Sequence, residues 1–538
     1  MMIKDENEWW RGAVIYQIYP RSFNDSNNDG IGDLAGIIQK LDYIASLNVD
    51  AIWLSPFFTS PMKDFGYDIS DYRGVDPLFG TLNDFESLVD EAHQRGLKVL
   101  IDQVYSHTSD QHPWFKESRQ NQSNPKADWY IWADAKPDGT PPNNWLSFFG
   151  GPAWQWDSRR KQYYMHNFLS SQPDLNFHNP DVQQEILDTA RFWLEMGVDG
   201  FRLDVVNLYF HDQKLRNNPI ASRPEEQFVG VDPENPFCRQ YHINQLCRDD
   251  NLEFLKKLRK VMNEYPGSTT VGEIGAPDGM SYMAQYTAGG DKLHMAYTFE
   301  LLGNRSDPVY IKNTLQRVEN KLKDGWPTFA LSNHDVKRSA SRWTEGCSNP
   351  AAKVKAMLTL LMTTHGTPCL YQGEELGLPE ADVPFEDLQD PFGINFWPEF
   401  KGRDGCRTPM PWKNTDTLGF SQAKPWLPYC SMHRVSAVSE QIEQEESVLN
   451  FVKKLIIWRK SHPALVNGNI KWLPSDENLL LFQRSTGSET LIVSINLTEH
   501  PLPVSTELKL SMLHGSELEN GKQPALSASI FVVSNELQ

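Results

Sequence analysis

One unit recurs along this chain: an amphipathic helical stretch ends at a Gly or an Asn, and a short run of apolar residues follows directly. The run "VDAIWLSP" follows Asn48, "LKVLIDQV" follows Gly96, and "VDGFRLDV" follows Gly197. Gly and Asn tolerate the left-handed conformation in which many helices end. Near-continuous apolar runs are typical of parallel strands that are buried on both faces. The recurring unit therefore predicts an α/β fold built on a parallel sheet.

Eight segments have the length and the apolar composition of such strands, and helical patterns separate them. Eight parallel strands alternating with helices are typical of a (β/α)8 barrel, the TIM barrel. The last helix of the barrel is predicted over Val448–His462. The predicted strands are Ala13–Tyr19, Val49–Ser55, Leu97–Val104, Val198–Asp204, Thr269–Ile274, His294–Phe299, Thr328–Ser332 and Pro368–Tyr371.

Three long stretches interrupt this alternation. Ser109–Phe177, after the third strand, is too long for a structureless loop and predicts an inserted domain. Asn207–Asp249 follows the fourth strand and Pro379–Gln444 the eighth. After Pro463, the apolar runs "NLLLFQRS", "ETLIVSINL" and "SASIFVVS" are separated by turn residues, which is typical of an antiparallel β domain. The predicted organisation is a barrel over residues 1–108 and 177–465, an inserted B domain over 109–176, and a C-terminal β domain over 466–538.

The charge balance narrows the class of partner. Asp and Glu number 70 against 51 Lys and Arg, a net charge of −19, which argues against binding to nucleic acid or anionic lipid and favours a neutral or cationic substrate. The alternative interpretation is that the acidic charge only keeps the chain in solution. No apolar run approaches the 18 residues of a membrane span, and the N-terminal residues lack the apolar run of a signal peptide. The six cysteines form no CxxC pair, so we expect reduced thiols and a cytoplasmic location.

Polar residues that end the apolar runs are the candidates for chemistry, because barrel enzymes place their sites at the carboxyl ends of the strands. The fourth run ends "GFRLD", where Arg202 and Asp204 point the same way along a strand. A guanidinium beside a carboxylate is expected to keep it ionised, which suits a nucleophile. The alternative interpretation is a buried structural ion pair.

The fifth run ends "VGEIG", which places Glu273 among small or apolar residues. A carboxyl group with apolar neighbours and no paired cation has a raised pKa and can act as a general acid. The alternative, a surface glutamate, conflicts with the apolar character of the run.

Two further runs end in a histidine. The seventh ends "LSNHD", with His334 and Asp335, and the third reads "DQVYSH", with Asp102 and His107. A lone histidine is more often structural, but two at strand ends near acidic residues favour a site. We interpret Asp102 as a hydrogen-bonding partner behind that site.

Three carboxylates, Asp204, Glu273 and Asp335, thus come from three strand ends of one predicted barrel. The sequence shows no Cys/His cluster that would suggest zinc and no Gly-rich loop that would bind phosphate. A carboxylate pair without redox or phosphate-binding groups fits glycoside hydrolysis. In retaining enzymes the two carboxyl groups are about 5–5.5 Å apart, and one attacks while the other serves as acid and then base.

The first loop, "DSNNDGIGDL", has oxygen-bearing side chains at Asp25, Asn27, Asp29 and Asp33. Such alternation suits a hard cation such as Ca²⁺. The twelfth position is Gly36 rather than Glu, so the loop is not a full EF-hand. The alternative is a turn rich in Asp and Asn without a metal.

Together these motifs resemble glycoside hydrolase family 13, the α-amylase family. "DQVYSH", "GFRLD", "GEI" and "SNHD" are similar to its four main conserved regions, in the same order. "QPDLN" (Gln172–Asn176), "GTPCLYQGEELG" and "GRDGCRTPMPW" resemble the branch of oligo-1,6-glucosidases and α-glucosidases. The resemblance covers almost the whole chain and implies a barrel, an inserted B domain and a C-terminal β domain.

The resemblance also implies roles. Asp204 matches the nucleophile, Glu273 the acid/base, and Asp335 the third carboxylate, which holds sugar hydroxyls in the distorted transition state. In "DFGYD", Asp64 would contact the terminal sugar and Tyr67 would stack under it, while Arg403 would close the pocket. The other implied substrate-binding residues are His107, Phe149, Phe168, Arg202, Phe299 and His334. The implied ligands of one structural Ca²⁺ or Mg²⁺ are Asp25, Asn27, Asp29, Asp33 and the carbonyl of Ile31.

The chain departs from the family pattern at two places. Ser106 stands where the family usually has an Asn that helps to bind calcium between domains, so we expect no such site. Val205, after the nucleophile, tends in this branch to accompany a preference for α-1,6 linkages. The stretch after Asp204, however, resembles bacterial α-glucosidases that take short α-1,4 substrates and transfer glucose, so the linkage stays open.

The predicted activity is that of a retaining exo-α-glucosidase. It would release glucose from the non-reducing end of short α-glucosides of the maltose, isomaltose and sucrose class and would also transfer glucose. No organic cofactor is expected, and the chain would be a monomer or a homodimer. Alternatives are a sucrose isomerase, whose expected "RLDRL" run is absent, a trehalose synthase, or a non-catalytic member like the heavy chains of amino-acid transporters, which have a membrane helix.

The stretch Asn207–Asp249 is expected to rise beside the aglycone side and to narrow the entrance. Its bulky residues are Tyr209, Phe210, His211, Phe228 and Phe237. The alternative is that it packs away from the site or mediates a dimer.

Overall fold

The computed structural model describes residues 8–223, 228, 231, 234–504 and 510–533. Its centre is an eight-stranded parallel sheet in which strands that follow one another in the barrel pair edge to edge. Ala296, in the sixth strand, pairs with Pro327, just before the seventh, and so brings the two ends of the sheet together. The predicted (β/α)8 barrel is confirmed. Its strands are β1 (Ile15–Ile18), β2 (Ala51–Leu54), β3 (Lys98–Gln103), β4 (Gly200–Leu203), β5 (Thr269–Ile274), β6 (Met295–Thr298), β7 (Thr328–Ala330) and β8 (Thr367–Tyr371).

Helices follow the strands and cover the outside of the barrel. Asn48, Gly96 and Gly197, which precede β2, β3 and β4, have positive φ angles of 63°, 74° and 88°, so the left-handed helix ends predicted from the sequence are present. In chain order the barrel helices are Leu34–Gln39 with Leu41–Ser46, Leu82–Gln94, Pro180–Glu195, Asp250–Asn263, Gly279–Thr287, Pro308–Lys321, Pro350–Thr363 and Val448–Ser461.

Three insertions stand at the carboxyl ends of the strands. Between β3 and helix Pro180–Glu195 lies a three-stranded antiparallel sheet of Trp132–Ala133, Trp154–Asp157 and Gln162–Met165, with helix Pro113–Ser118 before it. In the stretch after β4, the described residues include the short 3-10 helices Val206–Leu208 and Pro236–Arg239. The stretch after β8 includes helices Pro391–Phe396 and Val438–Gln441. A short hairpin of Phe58–Thr59 and Asp71–Val75 follows β2.

The C-terminal part forms a five-stranded antiparallel sheet, as predicted. Its strands, in spatial order, are Asn469–Trp472, Leu479–Ser485, Thr490–Asn496, Ser527–Val533 and Leu510–Gly515. Within the described ranges, no helix has the length and apolar character needed to cross a membrane.

Two buried arginines lie where this sheet meets the barrel, Arg459 on the barrel helix Val448–Ser461 and Arg484 on the strand Leu479–Ser485 of the sheet. Arg459 donates to the carbonyl oxygens of Gly12, Met362 and Gly366, and Arg484 donates to those of Thr363 and Gly468. Neither side chain is exposed. Arg459 thus joins elements of the barrel to one another, whereas Arg484 links the C-terminal sheet to the end of the barrel helix Pro350–Thr363.

Candidate active site

Arg202, on β4, is the centre of a buried charge cluster at the carboxyl ends of the strands. Its Nη1 atom donates to Asp204 Oδ1 at 2.5 Å and to Asp102 Oδ1 at 2.8 Å, and its Nη2 atom lies 2.6 Å from Glu273 Oε1. The strand register favours these contacts, because Asp102 on β3 is paired with Arg202 on β4. One guanidinium therefore binds three carboxylates that come from β3, β5 and the end of β4.

The expectation that Glu273 lacks a cationic partner is wrong, because Arg202 reaches it from the neighbouring strand. The pKa of Glu273 is nonetheless raised to about 7. Burial is the largest cause, and the negative charges of Asp204 and Asp335 add to it, which together outweigh Arg202. The raised pKa expected of a general acid is present, but its physical origin is different.

The pKa of Asp204 also differs from the expectation. Pairing with Arg202 alone would lower its pKa, yet the pKa is raised to about 7 by burial and by the negative charge of Asp102. The reason is that the guanidinium is shared among three carboxylates. Because Asp204 and Glu273 lie on one cation and have similar pKa values, they titrate as a pair that holds one proton around neutral pH.

Val205 connects the two carboxylates through the backbone. Its N–H donates to Glu273 Oε2 at 3.0 Å. To point there, Val205 adopts a left-handed conformation, with φ 35° and ψ 49°, which is costly for a β-branched residue. Its side chain lines the pocket described below. The hydrogen bond that this strained conformation makes possible thus holds Glu273 beside the residue that follows Asp204.

Asp335 lies across the pocket from this cluster, and its side chain is 23% exposed. Its Oδ1 atom accepts from Arg403 Nη1 at 3.2 Å and from Arg407 Nη2 at 3.0 Å, while Oδ2 lies 3.2 Å from His334 Nε2. Burial alone would raise the pKa of Asp335, but the neighbouring cations, Arg403 and Arg407 among them, hold that pKa below its usual range. Asp335 is therefore ionised.

Tyr67 lies at the floor of the site, and His334 lies beneath it. Their rings stack with centroids 5.3 Å apart and planes 8° apart, and their polar atoms are hydrogen-bonded to each other. The Tyr67 hydroxyl donates to Asp102 Oδ2 at 3.0 Å, and Gln17 Nε2 lies 2.7 Å from His334 Nδ1. Burial lowers the pKa of His334 well below its usual value, so the ring is neutral and donates through Nε2 to Tyr67.

One end of the site is closed by ion pairs. Asp64 Oδ1 accepts from Arg403 Nη2 at 2.9 Å, and Asp64 Oδ2 accepts from Gln172 Nε2 at 3.0 Å. Arg403 is held in turn by Asp390, which accepts from its Nη2 at 2.8 Å and from its Nε at 3.0 Å. The loop after β2 and the insertion after β8 are thus connected across the end of the pocket.

His107 is buried beside this closed end. Its Nε2 donates to the carbonyl of Tyr67 at 3.0 Å, and its Nδ1 lies 2.9 Å from the hydroxyl of Ser106. Burial lowers the pKa of His107 to about 4, so it is neutral. Ser106 therefore fixes the orientation of this ring.

Most of the predicted site residues line one pocket. Arg202 and His334 do not, because they lie beneath its floor and contact the residues that line it. The predicted residues around the pocket are Asp64, Tyr67, His107, Phe149, Phe168, Asp204, Glu273, Phe299, Asp335 and Arg403.

Much of the aromatic wall of the pocket was not predicted from the sequence. Phe392, Phe396 and Phe400, from the insertion after β8, line the pocket together with Phe148. Phe149 and Phe392 stack with centroids 4.9 Å apart. The spacing of four residues between Phe392 and Phe396 is a helical signal that could have placed these two on one face of a short helix. Tyr297, which contacts both Arg202 and Glu273, was also missed.

Of the five bulky residues in the stretch after β4 that were expected to narrow the entrance, only two line the pocket. Phe228 and Phe237 line the pocket, and Phe237 stacks on His242 with centroids 3.7 Å apart. Tyr209, in contrast, stacks on Phe177 in the core. Phe210 and His211 both pack against His178. The expectation that these three residues narrow the entrance is wrong, because they anchor the stretch instead. Residues 224–227, 229–230 and 232–233 lie outside the described ranges.

The acidic loop after β1 folds around its own carboxylates. Asp25 is buried and accepts from the N–H groups of Asn27, Asn28 and Gly30. Asp29 accepts from Ile31 N at 2.8 Å, and Asp33, also buried, accepts from Gly36 N at 2.6 Å. No salt bridge to Asp25, Asp29 or Asp33 is formed by the residues that the structure describes. In the described ranges no group of three or more His, Cys, Asp or Glu side chains is arranged to hold a metal ion, and the carboxylates of this loop bind its own N–H groups.

The comparison with known proteins agrees with this geometry. The model of the family "Alpha amylase, catalytic domain" matches residues 17–468. A probable alpha-glucosidase of Rhizobium meliloti is 55% identical over 93% of this chain and 91% of its own length, and an oligo-1,6-glucosidase of Heyndrickxia coagulans is 40% identical over 92% and 93%. The crystal structure of an alpha-glucosyl transfer enzyme, XgtA, superposes with a TM-score of 0.95 at 52% identity, covering 98% of this chain and 99% of that one. The chain belongs to the α-amylase family of glycoside hydrolases.

Proposed function

We propose that the protein is a retaining exo-acting α-glucosidase that releases glucose from the non-reducing end of short α-glucosides and also transfers glucose to acceptors. The observation that carries this proposal is the closed end of the pocket, where Asp64 and Arg403 are joined at 2.9 Å. A pocket closed behind one sugar admits only a chain end. The similarity to an alpha-glucosidase, an oligo-1,6-glucosidase and an alpha-glucosyl transfer enzyme supports the reaction class.

Asp204 is proposed as the nucleophile. Its Oδ1 is held by Arg202, and among the described residues Oδ2 has no hydrogen-bond donor, so Oδ2 is available to attack the anomeric carbon. The bond between that carbon and the glycosidic oxygen breaks while an ester bond to Asp204 forms. Glu273 gives its proton to the departing oxygen in the same step. Water then enters, Glu273 takes its proton, and the ester is broken to release glucose of the original configuration.

The protonation state of the cluster fits these roles. Asp204 and Glu273 share Arg202 and hold one proton between them around neutral pH. The state with the proton on Glu273 has one nucleophile and one acid, as the first step needs. Because the guanidinium binds both carboxylates through Nη1 and Nη2, it also keeps them close together, as retention requires.

The remaining polar residues are proposed to bind the first glucose unit. Asp335, ionised between Arg403 and Arg407, would accept hydrogen bonds from sugar hydroxyls in the distorted transition state. Asp64 and His107 would contact the sugar at the closed end, while Tyr67 would stack under its ring. Arg202 and His334 would act through the residues above them. Phe149, Phe168 and Phe299 would form the aromatic wall.

Transfer competes with hydrolysis when an acceptor hydroxyl replaces water in the second step. The open side of the pocket is lined mostly by apolar groups, including Phe148, Phe237 and Phe396. Such a surface binds water weakly and can hold the apolar face of a sugar. We propose transfer on this ground, and the similarity to the alpha-glucosyl transfer enzyme supports it.

We also propose that the loop of Asp25, Asn27, Asp29, Ile31 and Asp33 binds one structural Ca²⁺ or Mg²⁺. The buried Asp25 and the absence of a pairing cation among the described residues support this assignment. The loop contains none of the three proposed catalytic carboxylates, so the ion would stabilise the fold rather than take part in the reaction.

The described cysteines are all free thiols, which supports a reducing, cytoplasmic location.

The configuration of the first product tests the proposed reaction. We expect proton NMR to show α-glucose first, with β-glucose appearing only by later mutarotation. Asp204→Asn should lower kcat on p-nitrophenyl α-glucoside by orders of magnitude, since it removes the nucleophile. Glu273→Gln should lower kcat on maltose by roughly 10²–10⁴-fold. If β-glucose forms first, the enzyme inverts and Asp204 is not a nucleophile.

A further inference from the structure

Tyr297 lies behind the proposed acid/base residue, outside the pocket. It is on β6, paired in register with Glu273 on β5, and is 4% exposed. Its neighbours in the barrel core include Ile15, Trp53 and Leu100. The side chain therefore cannot touch a substrate in the pocket, and any effect on the reaction must act through Glu273 or Arg202.

The hydroxyl of Tyr297 is polarised in one direction. Arg202 donates to it from Nη2 at 3.0 Å and from Nε at 3.3 Å. A guanidinium can only donate, so both lone-pair positions of the hydroxyl are occupied by Arg202. The single proton of Tyr297 is then directed to Glu273 Oε1, which lies at 3.0 Å.

The two oxygens of Glu273 thus have unequal surroundings. Oε1 accepts from the hydroxyl of Tyr297 and lies 2.6 Å from the positively charged Nη2 of Arg202. Oε2 faces one donor, the N–H of Val205 at 3.0 Å, and keeps a free lone pair. A proton placed on Oε1 would meet two N–H or O–H groups, whereas a proton on Oε2 meets only one.

We propose that Tyr297 is a positioning residue that keeps the proton of Glu273 on Oε2 and so aims it at the departing glycosidic oxygen. In the first step this proton moves from Oε2 to the leaving oxygen as the bond to the anomeric carbon breaks. The inference rests on the proposed function, since it concerns the acid step of that reaction. If Tyr297 only fills the core, removing its hydroxyl would alter all substrates alike.

Substrates that differ in their need for a proton separate the two roles. The leaving group of maltose is a sugar hydroxyl that must be protonated, whereas α-glucosyl fluoride releases fluoride, which is stable without a proton from the enzyme. Comparing kcat/KM is appropriate because it reports the first chemical step. For Tyr297→Phe we expect kcat/KM to fall about tenfold or more on maltose, a part of the roughly 10²–10⁴-fold of a general acid. On the fluoride it should change by less than about twofold.

The pH profile gives a second readout. A donor to a carboxylate stabilises its ionised form, so removing the hydroxyl should raise the pKa of Glu273. The basic limb of kcat/KM on maltose should therefore move to higher pH in Tyr297→Phe. A merely structural hydroxyl would leave that limb where it is in the wild type.

Tyr105→Phe is a matched control. Tyr105 is buried, and its hydroxyl has no hydrogen-bond partner in the described part of the chain. We expect this variant to match the wild type on both substrates. Turnover of the fluoride by Tyr297→Phe itself shows that the variant has folded. Equal losses on both substrates, or no loss on either, would overturn the inference while leaving the proposed function intact. A wild-type enzyme that cleaves neither substrate would overturn both.

Discussion

Asp64 and Arg403 are 339 positions apart in the sequence, yet the carboxylate of one and the guanidinium of the other lie 2.9 Å apart. Both side chains are buried, at 5% and 9% exposure. The contact joins two insertions that are built on different strands of the barrel. A pocket closed in this way would admit the end of a glucan chain and exclude its interior, as the proposed exo-acting function requires.

Arg403→Gln should therefore impair the binding of the terminal glucose. The change leaves Asp64, Asp390 and Asp335 without a cation they now share, and losing one partner of a buried, hydrogen-bonded charge pair typically costs about 2–5 kcal/mol. We expect kcat/KM on maltose to fall at least about 30-fold, measured by initial rates of glucose release. Lys401→Gln removes an exposed pair with Asp382 and should be almost neutral. A similar, small effect of both changes would contradict the closed-end assignment.

The sequence predicted the barrel strands well, because apolar runs buried on both faces are a local signal. Each of the eight strands lies within or next to its predicted segment, and Thr269–Ile274 matches it fully. The ends of these runs also led to the three carboxylates, since strand ends share one face of a barrel. Apolar runs in the sequence were sufficient to predict these strands, because a strand buried on both faces must be apolar along its own length.

Local sequence patterns did not predict the features of the site that depend on contacts between residues far apart in the sequence. Nothing in "VGEIG" reveals that Arg202 lies against Glu273, because the contact depends on the register between β4 and β5. The raised pKa of Asp204 likewise depends on Asp102, from a third strand. The aromatic wall of Phe392 and Phe396 belongs to an insertion of short helices and turns, where no long periodic pattern exists.

The pH dependence of the reaction follows from the shared guanidinium. The first step needs Glu273 protonated and Asp204 ionised, and the pKa of each carboxyl is raised to about 7. As pH rises above about 7, the pair loses its one proton, the acid is lost, and kcat/KM should fall about tenfold per pH unit. At lower pH the pair of Asp204 and Glu273 takes up a second proton, which neutralises the nucleophile, so kcat/KM should fall again.

A pH series of kcat/KM on maltose and on α-glucosyl fluoride measures this. The basic limb should be pronounced for maltose and weak for the fluoride, because only the first requires the acid. The acidic limb should be the same for both, since each requires Asp204. A basic limb of equal depth for both substrates would assign it to a group other than Glu273.

Removing the proposed metal should affect stability more than catalysis. Asp25 and Asp33 are buried with negative charge that a divalent cation would compensate. We expect the melting temperature to fall by several degrees after treatment with a chelator and to recover with Ca²⁺ or Mg²⁺. The kcat at low temperature should change little, because the loop holds none of the proposed catalytic carboxylates.

Asp29→Asn should reproduce the chelator effect by weakening the site. Asp138→Asn is the matched control, since Asp138 also accepts bonds within its own turn, from Thr140, but has no partner acidic residues in an alternating pattern. Elemental analysis of the purified protein gives the metal content directly. If the protein contains no divalent ion even after either metal is added, the loop is a turn that does not bind a metal.

Substrate length depends on the open side of the pocket. Phe228 and Phe237 from the insertion after β4 line the pocket together with Phe392 and Phe396 from the insertion after β8, and Phe148 contacts both Phe237 and Phe392. We expect these bulky side chains to leave room in the pocket only for a short aglycone. We expect kcat/KM to fall from maltose to maltotetraose and further to maltohexaose, and starch to be a poor substrate.

Phe237→Ala should weaken this discrimination. Phe237 is buried against Phe148 and His242, so its removal both widens the entrance and destabilises the insertion, typically by about 3–5 kcal/mol. The ratio of kcat/KM for maltotetraose to that for maltose is independent of the fraction of folded enzyme, and this ratio should rise several-fold in the variant. Phe385→Ala, at a half-exposed position in the insertion after β8 and outside the pocket, should leave the ratio unchanged. Wild-type values that stay constant or increase up to six glucose units would show that the insertion after β4 does not limit substrate length, and the assignment of the reaction would not depend on that outcome.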